Sequence, residues 1–371
     1  MFPKLRFKEF DDDWSPYVLK DFVSFRKGKG ISKADISENG INECIRYGEL
    51  YTTYGQVIDH IHSKTNVSKS ECILSKAGDV IIPASGETQI DIATASCVLH
   101  DDIILSGDLN ILSHEENGSW LAYYLSSAKK LEIAQLAQGN SVVHLYSSQL
   151  KDLKINKPSK EEQTKIASFL SNVDEKISQL TKKHELLSQY KQGMMQKLFS
   201  QQIRFRADDG SEFGEWEEKE LKDIAEINPK SKKLPESFIY IDLESVEKGQ
   251  LLLQKNIELQ DAPSRAQRLL AKGDVLFQMV RPYQQNNYYF NLSGEYVAST
   301  GYAQIRTKLD SKFIYYALHE KTFLDEVMNR CTGTSYPAIN SSDLSSIEIL
   351  IPCLEEQTKI ANFLSSIDQK I

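Results

Sequence analysis

At roughly 100–200 residues per domain, 371 residues predict two or three domains. With 40% hydrophobic and 26% charged residues, the chain is neither a long disordered tract nor a low-complexity fibre. A balance of 44 Lys+Arg against 52 Asp+Glu, net −8, excludes a strongly basic nucleic-acid or membrane-surface binder but leaves room for local basic patches. There is no run of ~18 apolar residues, so no membrane span is expected. The opening MFPKLRFKEFDDDW lacks the apolar core of a signal peptide. Cys44, Cys72, Cys97, Cys331 and Cys353 contain no CxxC pair and read as reduced thiols, neither a disulfide framework nor a zinc site.

In chain order, residues 1–157 read as mixed α/β. Trp14 precedes Leu19-Lys20-Asp21, strands are predicted at Asp79–Pro83, Ile103–Leu105 and Leu150–Lys157, and a helix around Trp120–Leu136, a stretch without Pro or Gly. Residues 158–200 read as one long helix. Pro158 precedes it, Ser159 is its cap, and Glu161-Glu162 occupy the first turn, where the helix dipole favours anions. From Lys160 to about Ser200 it would extend ~60 Å at 1.5 Å per residue. Heptad spacing places Ile166, Val173, Leu180, Leu187 and Met194 at d and Leu170, Ile177, His184, Lys191 and Leu198 at a, the pattern of a coiled-coil seam. Residues 201–351 return to mixed α/β, with Trp216 before Leu221-Lys222-Asp223, strands at Asp274–Met279 and Ile347–Pro352, and a helix at Lys312–Arg330. Residues 352–371 begin a second seam with Ile360 and Ile367 at d and Leu364 and Ile371 at a; beside the first copy, this helix reads as truncated.

The second half therefore repeats the first. PSKEEQTKIASFLSNVDEKI (158–177) and PCLEEQTKIANFLSSIDQKI (352–371) share 14 of 20 positions at an offset of 194. Gly139-Asn140-Ser141 aligns with Gly333-Thr334-Ser335, and Gly78-Asp79-Val80-Ile81 with Gly273-Asp274-Val275-Leu276. Two domain-plus-helix units give two seams, and burying them against each other predicts an antiparallel intramolecular hairpin with pseudo-twofold symmetry.

Catalytic signatures are missing. There is no GxxxxGK[ST], no strand–GxGxxG–helix, no HExxH and no GxSxG. Asn228-Pro229-Lys230 is not the Asn-Pro-Pro-aromatic motif of amino-methyltransferases, and the DxK-like runs Asp174–Lys176 and Asp368–Lys370 lie on helix surfaces. No metal site is expected.

Two variable α/β domains, each followed by a helix opening P-x-x-E-E-Q-x-x-I-A-x-F-L-x-x-x-D-x-K-I, resemble the specificity subunit of type I restriction–modification systems. The matching positions are Glu161–Ile177 and Glu355–Ile371, and Tyr190–Phe199 is similar to the family's end of the first helix. The resemblance implies an α+β chain: two tandem target-recognition domains, each reading half of a split double-stranded DNA sequence, joined by an antiparallel coiled coil acting as a ruler. It further implies a non-catalytic role in the bacterial cytoplasm. Two methyltransferase subunits would dock on the coiled coil, restriction/translocase subunits would join through the complex, and S-adenosylmethionine, ATP and Mg²⁺ would belong to those partners. The alternatives are a duplicated coiled-coil adaptor that binds protein and an unrecognised enzyme.

Each globular half is net acidic and only the first helix segment is net basic. Phosphate contacts dominate DNA affinity, so partners are expected to supply much of the electrostatics. Arg26, Lys27 and Lys29 in the first half and Lys230, Lys232 and Lys233 in the second suit phosphate positioning or a solvated loop. Arg281, Tyr283, Gln284, Gln285, Asn286 and Asn287 form the main base-reading candidate, because Arg can take guanine O6/N7 and Gln or Asn adenine N6/N7; a polar turn is the alternative. Arg265, Gln267 and Arg268 read as a groove contact or a surface helix. Ser85, Thr88 and Gln89, with Asn140, Ser141 and His144, occupy corresponding loops of the first half, and Thr334, Ser335 and Tyr336 repeat the latter group. Trp14 and Trp216 read as core anchors.

Overall fold

A computed structural model describes residues 5–139, 142–231 and 233–371. The chain forms two compact units, Met1–Gln179 and Leu180–Ile371.

In the first unit a five-stranded sheet runs in the order Ser24–Lys27, Leu109–Ser113, Val80–Pro83, Ser96–Val98 and Val57–Ile58. The strand at 80–83 is apolar without alternation because both its faces are covered. Val80 and Ile82 enter a core with Trp120, Leu121 and Leu150, while Ile81 enters a separate core with Ile45, Leu105 and Ile111. A second sheet joins Ser63–Thr65, Asn42–Ile45, Ile104–Leu105 and Ile73–Leu74. An antiparallel ribbon of Ser15–Val18 with Lys154–Lys157 ties the start of the unit to the segment entering the long helix.

The second unit repeats all three parts. One sheet runs Ala225–Ile227, Tyr302–Thr307, Val275–Gln278, Tyr288–Tyr289, and the other Lys255–Glu258, Ser237–Ile241, Tyr296–Ser299, Ala266–Leu269. The ribbon is Glu217–Glu220 with Glu348–Ile351. In each unit the two middle strands of the second sheet named are parallel, so the duplication extends from sequence to topology.

Two expected helices are each divided. Trp120–Leu136 becomes Gly118–Ser126 and Lys130–Leu136, because the Ser126 hydroxyl bonds both backbone groups of Ala95 and turns the chain. Lys312–Arg330 becomes Ser311–Ala317 and Lys321–Asn329, because the Glu320 carboxylate caps the second helix by accepting from the Thr322 and Phe323 amides. Within Leu150–Lys157 only Lys154–Lys157 is a strand.

The long helix spans Lys160–Phe199, with the Ser159 hydroxyl accepting from the Glu162 amide. Its heptad residues have three different environments. Ile166 packs on the core of the first unit. Val173, Ile177 and Leu180 are exposed. Leu198 is buried in the core of the second unit together with Ile360, Leu364 and Ile367 of the C-terminal helix Leu354–Asp368, with Met195 and Phe199 packed alongside. Lys191 pairs with Asp368 at 2.5 Å, and Leu180–His184 approach Lys370 and Ile371, so the two helices run antiparallel there. Trp14 and Trp216 are core anchors: both pack against the hydrophobic interior of their units.

Candidate nucleic-acid interface

The candidate residues converge on one edge of each main sheet. In the first unit, strand 80–83 runs into Ser85-Gly86, which pairs antiparallel with Val143-His144. The Asn110 side chain donates to the Leu145 carbonyl at 2.9 Å, and the amides of Ala84 and Leu145 close the loops with bonds to Asp108 and Ala84. The loop after strand 24–27 reaches the same edge, where the Gly28 amide donates to Leu109 and the Lys29 amide to Leu105. Only glycine fits at position 28, since an added Cβ would lie 1.9 Å from the Ser106 carbonyl oxygen. The second unit repeats the arrangement: Val280 bridges to Ala338, the repeat equivalent of His144 at offset 194, and the Arg281 amide donates to the Pro337 carbonyl at 2.7 Å.

Which side chains are free differs between the units. Arg26 is committed inside the first: its Nη2 lies 2.5 Å from the buried Asp79 carboxylate, with further bonds to the Leu74 carbonyl and the Ser113 hydroxyl. The phosphate role suggested for it is corrected on that ground, because a guanidinium neutralising a buried carboxylate is not available to DNA. Ser85 is buried and bonded to His144 Nδ1 at 3.1 Å, and Thr88 caps the helix Gln89–Ile92 through Asp91. Both hydroxyls are thus engaged in bracing their own loop, Ser85 inside the fold and Thr88 at its surface. Lys27, Lys29 and Gln89 are exposed, and His144 stacks beside exposed Tyr146 with centroids 6.2 Å apart. Asn140 and Ser141 lie outside the described residues, as does Lys232.

In the second unit, Arg281 and Gln285 have left-handed backbones, φ 54° and 51°, and bracket the turn Pro282–Gln284. The Arg281 guanidinium sits 4.2 Å from the ring centroid of Tyr336, joining two loops that the sequence suggested separately. Tyr283, Thr334, Ser335 and Tyr336 are exposed around it. The amides of this loop are organised by buried Gln278, whose Nε2 donates to Gln284 Oε1 and the Val280 carbonyl while its Oε1 accepts from the Asn286 amide. Gln284, Asn286 (accepting from the Lys248 amide) and Asn287 (buried, accepting from the Gln278 amide) are thereby engaged within the turn. For these three the internal bonds fit the polar-turn alternative; Arg281, Tyr283 and Gln285 keep their side chains outside that network and remain the candidates of this loop.

The Ser231 hydroxyl donates to the Gln267 carbonyl and accepts from the Leu269 amide, so the loop carrying exposed Lys230 and Lys233 lies along strand Ala266–Leu269. Arg265, Gln267 and Arg268 are thus on or beside a strand, not a helix. Arg265 and Gln267 are exposed. Arg268 is half-buried with no ion pair among the described residues, and burial pulls its guanidinium below the usual arginine range. The Thr300 amide donates to Arg265 and the Met279 amide to Gly301, which places this basic strand end on the same edge as Arg281. Tyr146 and Gln278 were not singled out from sequence. Gln278 had a signal, a polar residue closing the apolar strand Val275–Gln278.

Among the described residues no cluster of His, Cys, Asp or Glu could hold a metal ion, and no helix is long and apolar enough to cross a membrane. The sequence matches the family described as type I restriction modification DNA specificity domain over residues 11–188 and 214–371. It is 26% identical over 382 residues to the type I restriction enzyme MjaVIII specificity subunit of Methanocaldococcus jannaschii, covering 97% of this chain and 87% of that protein. It is also 23% identical over 270 residues to the EcoDI specificity subunit of Escherichia coli, covering 64% and 60% respectively. In fold it is similar to the crystal structure of a type I restriction-modification S subunit from M. genitalium, with a TM-score of 0.67 at 17% identity, over 100% of this chain and 93% of that one. With both halves matched across most of their length, the chain belongs to the type I restriction–modification DNA specificity family.

Proposed function

We propose that each unit reads one half of a bipartite, asymmetric DNA target through the paired loops at its sheet edge, and that the chain itself catalyses nothing. The observation that carries this reading is the repetition of one loop scaffold with different side chains at its surface: Lys27, Lys29, Gln89, His144 and Tyr146 in one unit, Arg265, Gln267, Arg268, Arg281, Tyr283 and Tyr336 in the other. One frame carrying two sets of readers suits a target whose halves differ. The long helix and its antiparallel partner would set the spacer and present a surface to two methyltransferase subunits, with restriction/translocase subunits joining through that complex. S-adenosylmethionine, ATP and Mg²⁺ would be bound by those partners. The net acidic charge fits a subunit whose partners contribute much of the phosphate contact.

The test is a map of modified adenines after co-expression with the partner methyltransferase in an unmethylated bacterial host. A split motif with constant spacer is expected. Absence of any motif from an assembled complex would replace this reading with that of a protein-binding adaptor.

A further inference from the structure

The duplicated helix motif performs a task beyond forming a seam: its polar residues hold each globular domain to its own helix. Glu162 is 1% and Glu356 0% exposed. Each receives a two-point guanidinium, Arg6 at 2.7 and 2.7 Å and Arg204 at 3.1 and 2.7 Å, and each also accepts from a tryptophan indole N–H, Trp14 at 3.2 Å and Trp216 at 3.1 Å. The next residue repeats the pattern. Gln163 and Gln357 donate to the Pro158 and Pro352 carbonyls and accept from the amides of Asn117 and Asp310. Those two residues cap the helices Gly118–Ser126 and Ser311–Ala317. About three turns on, Asp174 and Asp368 accept from the phenols of Tyr123 and Tyr316, both at 2.6 Å. Each domain helix is therefore pinned to its long-helix segment near both ends.

Two pins and a buried bidentate pair fix direction as well as contact, because the planar guanidinium–carboxylate fork has one geometry. Direction matters for a bipartite reader. One base pair more or less in a spacer moves a half-site by about 3.4 Å along the duplex and about a tenth of a turn around it.

We propose that Glu162–Arg6 and Glu356–Arg204, with Tyr123–Asp174 and Tyr316–Asp368, are positioning residues that fix the angle of each reading domain on its helix and thereby the spacer length accepted. This rests on the bipartite reading above. The test compares the adenine methylomes of the full chain and of Arg204→Lys and Tyr316→Phe, each co-expressed with the methyltransferase partner. Arg204→Lys keeps the charge but loses the fork. Tyr316→Phe removes one hydroxyl and keeps the packing, which covers the case in which the arginine variant fails to fold. The expected result is unchanged half-site sequences with spacers one base pair longer or shorter enriched about tenfold over the parent chain, as loss of one charge-assisted bond predicts. A single unchanged spacer in folded Tyr316→Phe would overturn the proposal, as would altered bases in the second half-site. Failure of the bipartite reading is separately visible, because the parent chain would then give no split motif.

Discussion

The two sheet edges share a frame and differ in what that frame leaves free. Both carry a buried aspartate after a glycine turn, Asp79 and Asp274, and both neutralise it with arginine. The first unit takes that arginine from strand Ser24–Lys27 as Arg26; the second takes it from strand Tyr302–Thr307 as Arg306, with bonds of 2.7 and 2.8 Å. The first edge thus commits its arginine to structure and leaves lysines, a glutamine and a His–Tyr pair. The second retains Arg265, Arg268 and Arg281. The lesson is that a charge near the reading loops is informative only once its internal obligations are known.

The largest expected effect tests the shared frame. Asp79→Ala or Asp274→Ala strands a guanidinium and should cost about 3 kcal/mol, the low end for a buried pair because Arg26 and Arg306 are 32% and 39% exposed. Thermal melts should show the loss for either variant, and a smaller loss for one would mean that the two aspartates are not equivalent. Next comes Arg281→Ala, which should relax discrimination in the second half-site alone by about 1–3 kcal/mol, read from the methylome. Relaxation of both half-sites would make Arg281 a structural residue.

Acid should affect both units. Burial holds His114 in the first and His319 in the second below the ordinary histidine range. Their neutral forms are favoured in the fold, so stability is present above the unfolded value of about 6.5 and is lost as pH falls through it toward the depressed folded values. Melting temperature should fall between about pH 6.5 and 5, and His319→Gln should flatten that fall; an unchanged slope in this variant would remove His319 from the account. The smallest effect is expected from Lys29→Ala, which should weaken binding of the assembled complex to all DNA sequences alike and lower its salt slope by about 1. A changed motif instead would move Lys29 among the base readers.

The duplication and the long helix were legible in the sequence because they depend on repetition and period; the pairing of the two ribbons was not, because each joins strands more than 120 residues apart. The meaning of Glu162 was not: a glutamate in a first helical turn reads as a partner of the helix dipole, and its actual partner, Arg6, is 156 residues away. The heptads were legible too, but not that Ile166 would face a domain, that Val173, Ile177 and Leu180 would be exposed, and that the C-terminal helix would be met by the second half of the long helix, from about Leu180 onward. The loop pairs could be located by alignment of the halves. Which side chains remain available could not, since Arg26 and Ser85 are each claimed by a residue that only folding brings within reach, although Thr88 capping through Asp91 is a local contact.

The left-handed backbones at Arg281 and Gln285 have a thermodynamic consequence. Each costs of order 1 kcal/mol in a residue with a side chain, and that cost falls on folding of the free protein. The turn between them, braced by Gln278 and stacked on Tyr336, has little conformational freedom left to lose on binding. Recognition by this loop should therefore carry a small entropic penalty and discriminate sharply, since a rigid loop that cannot adjust to a wrong base pair must leave its polar groups unmatched.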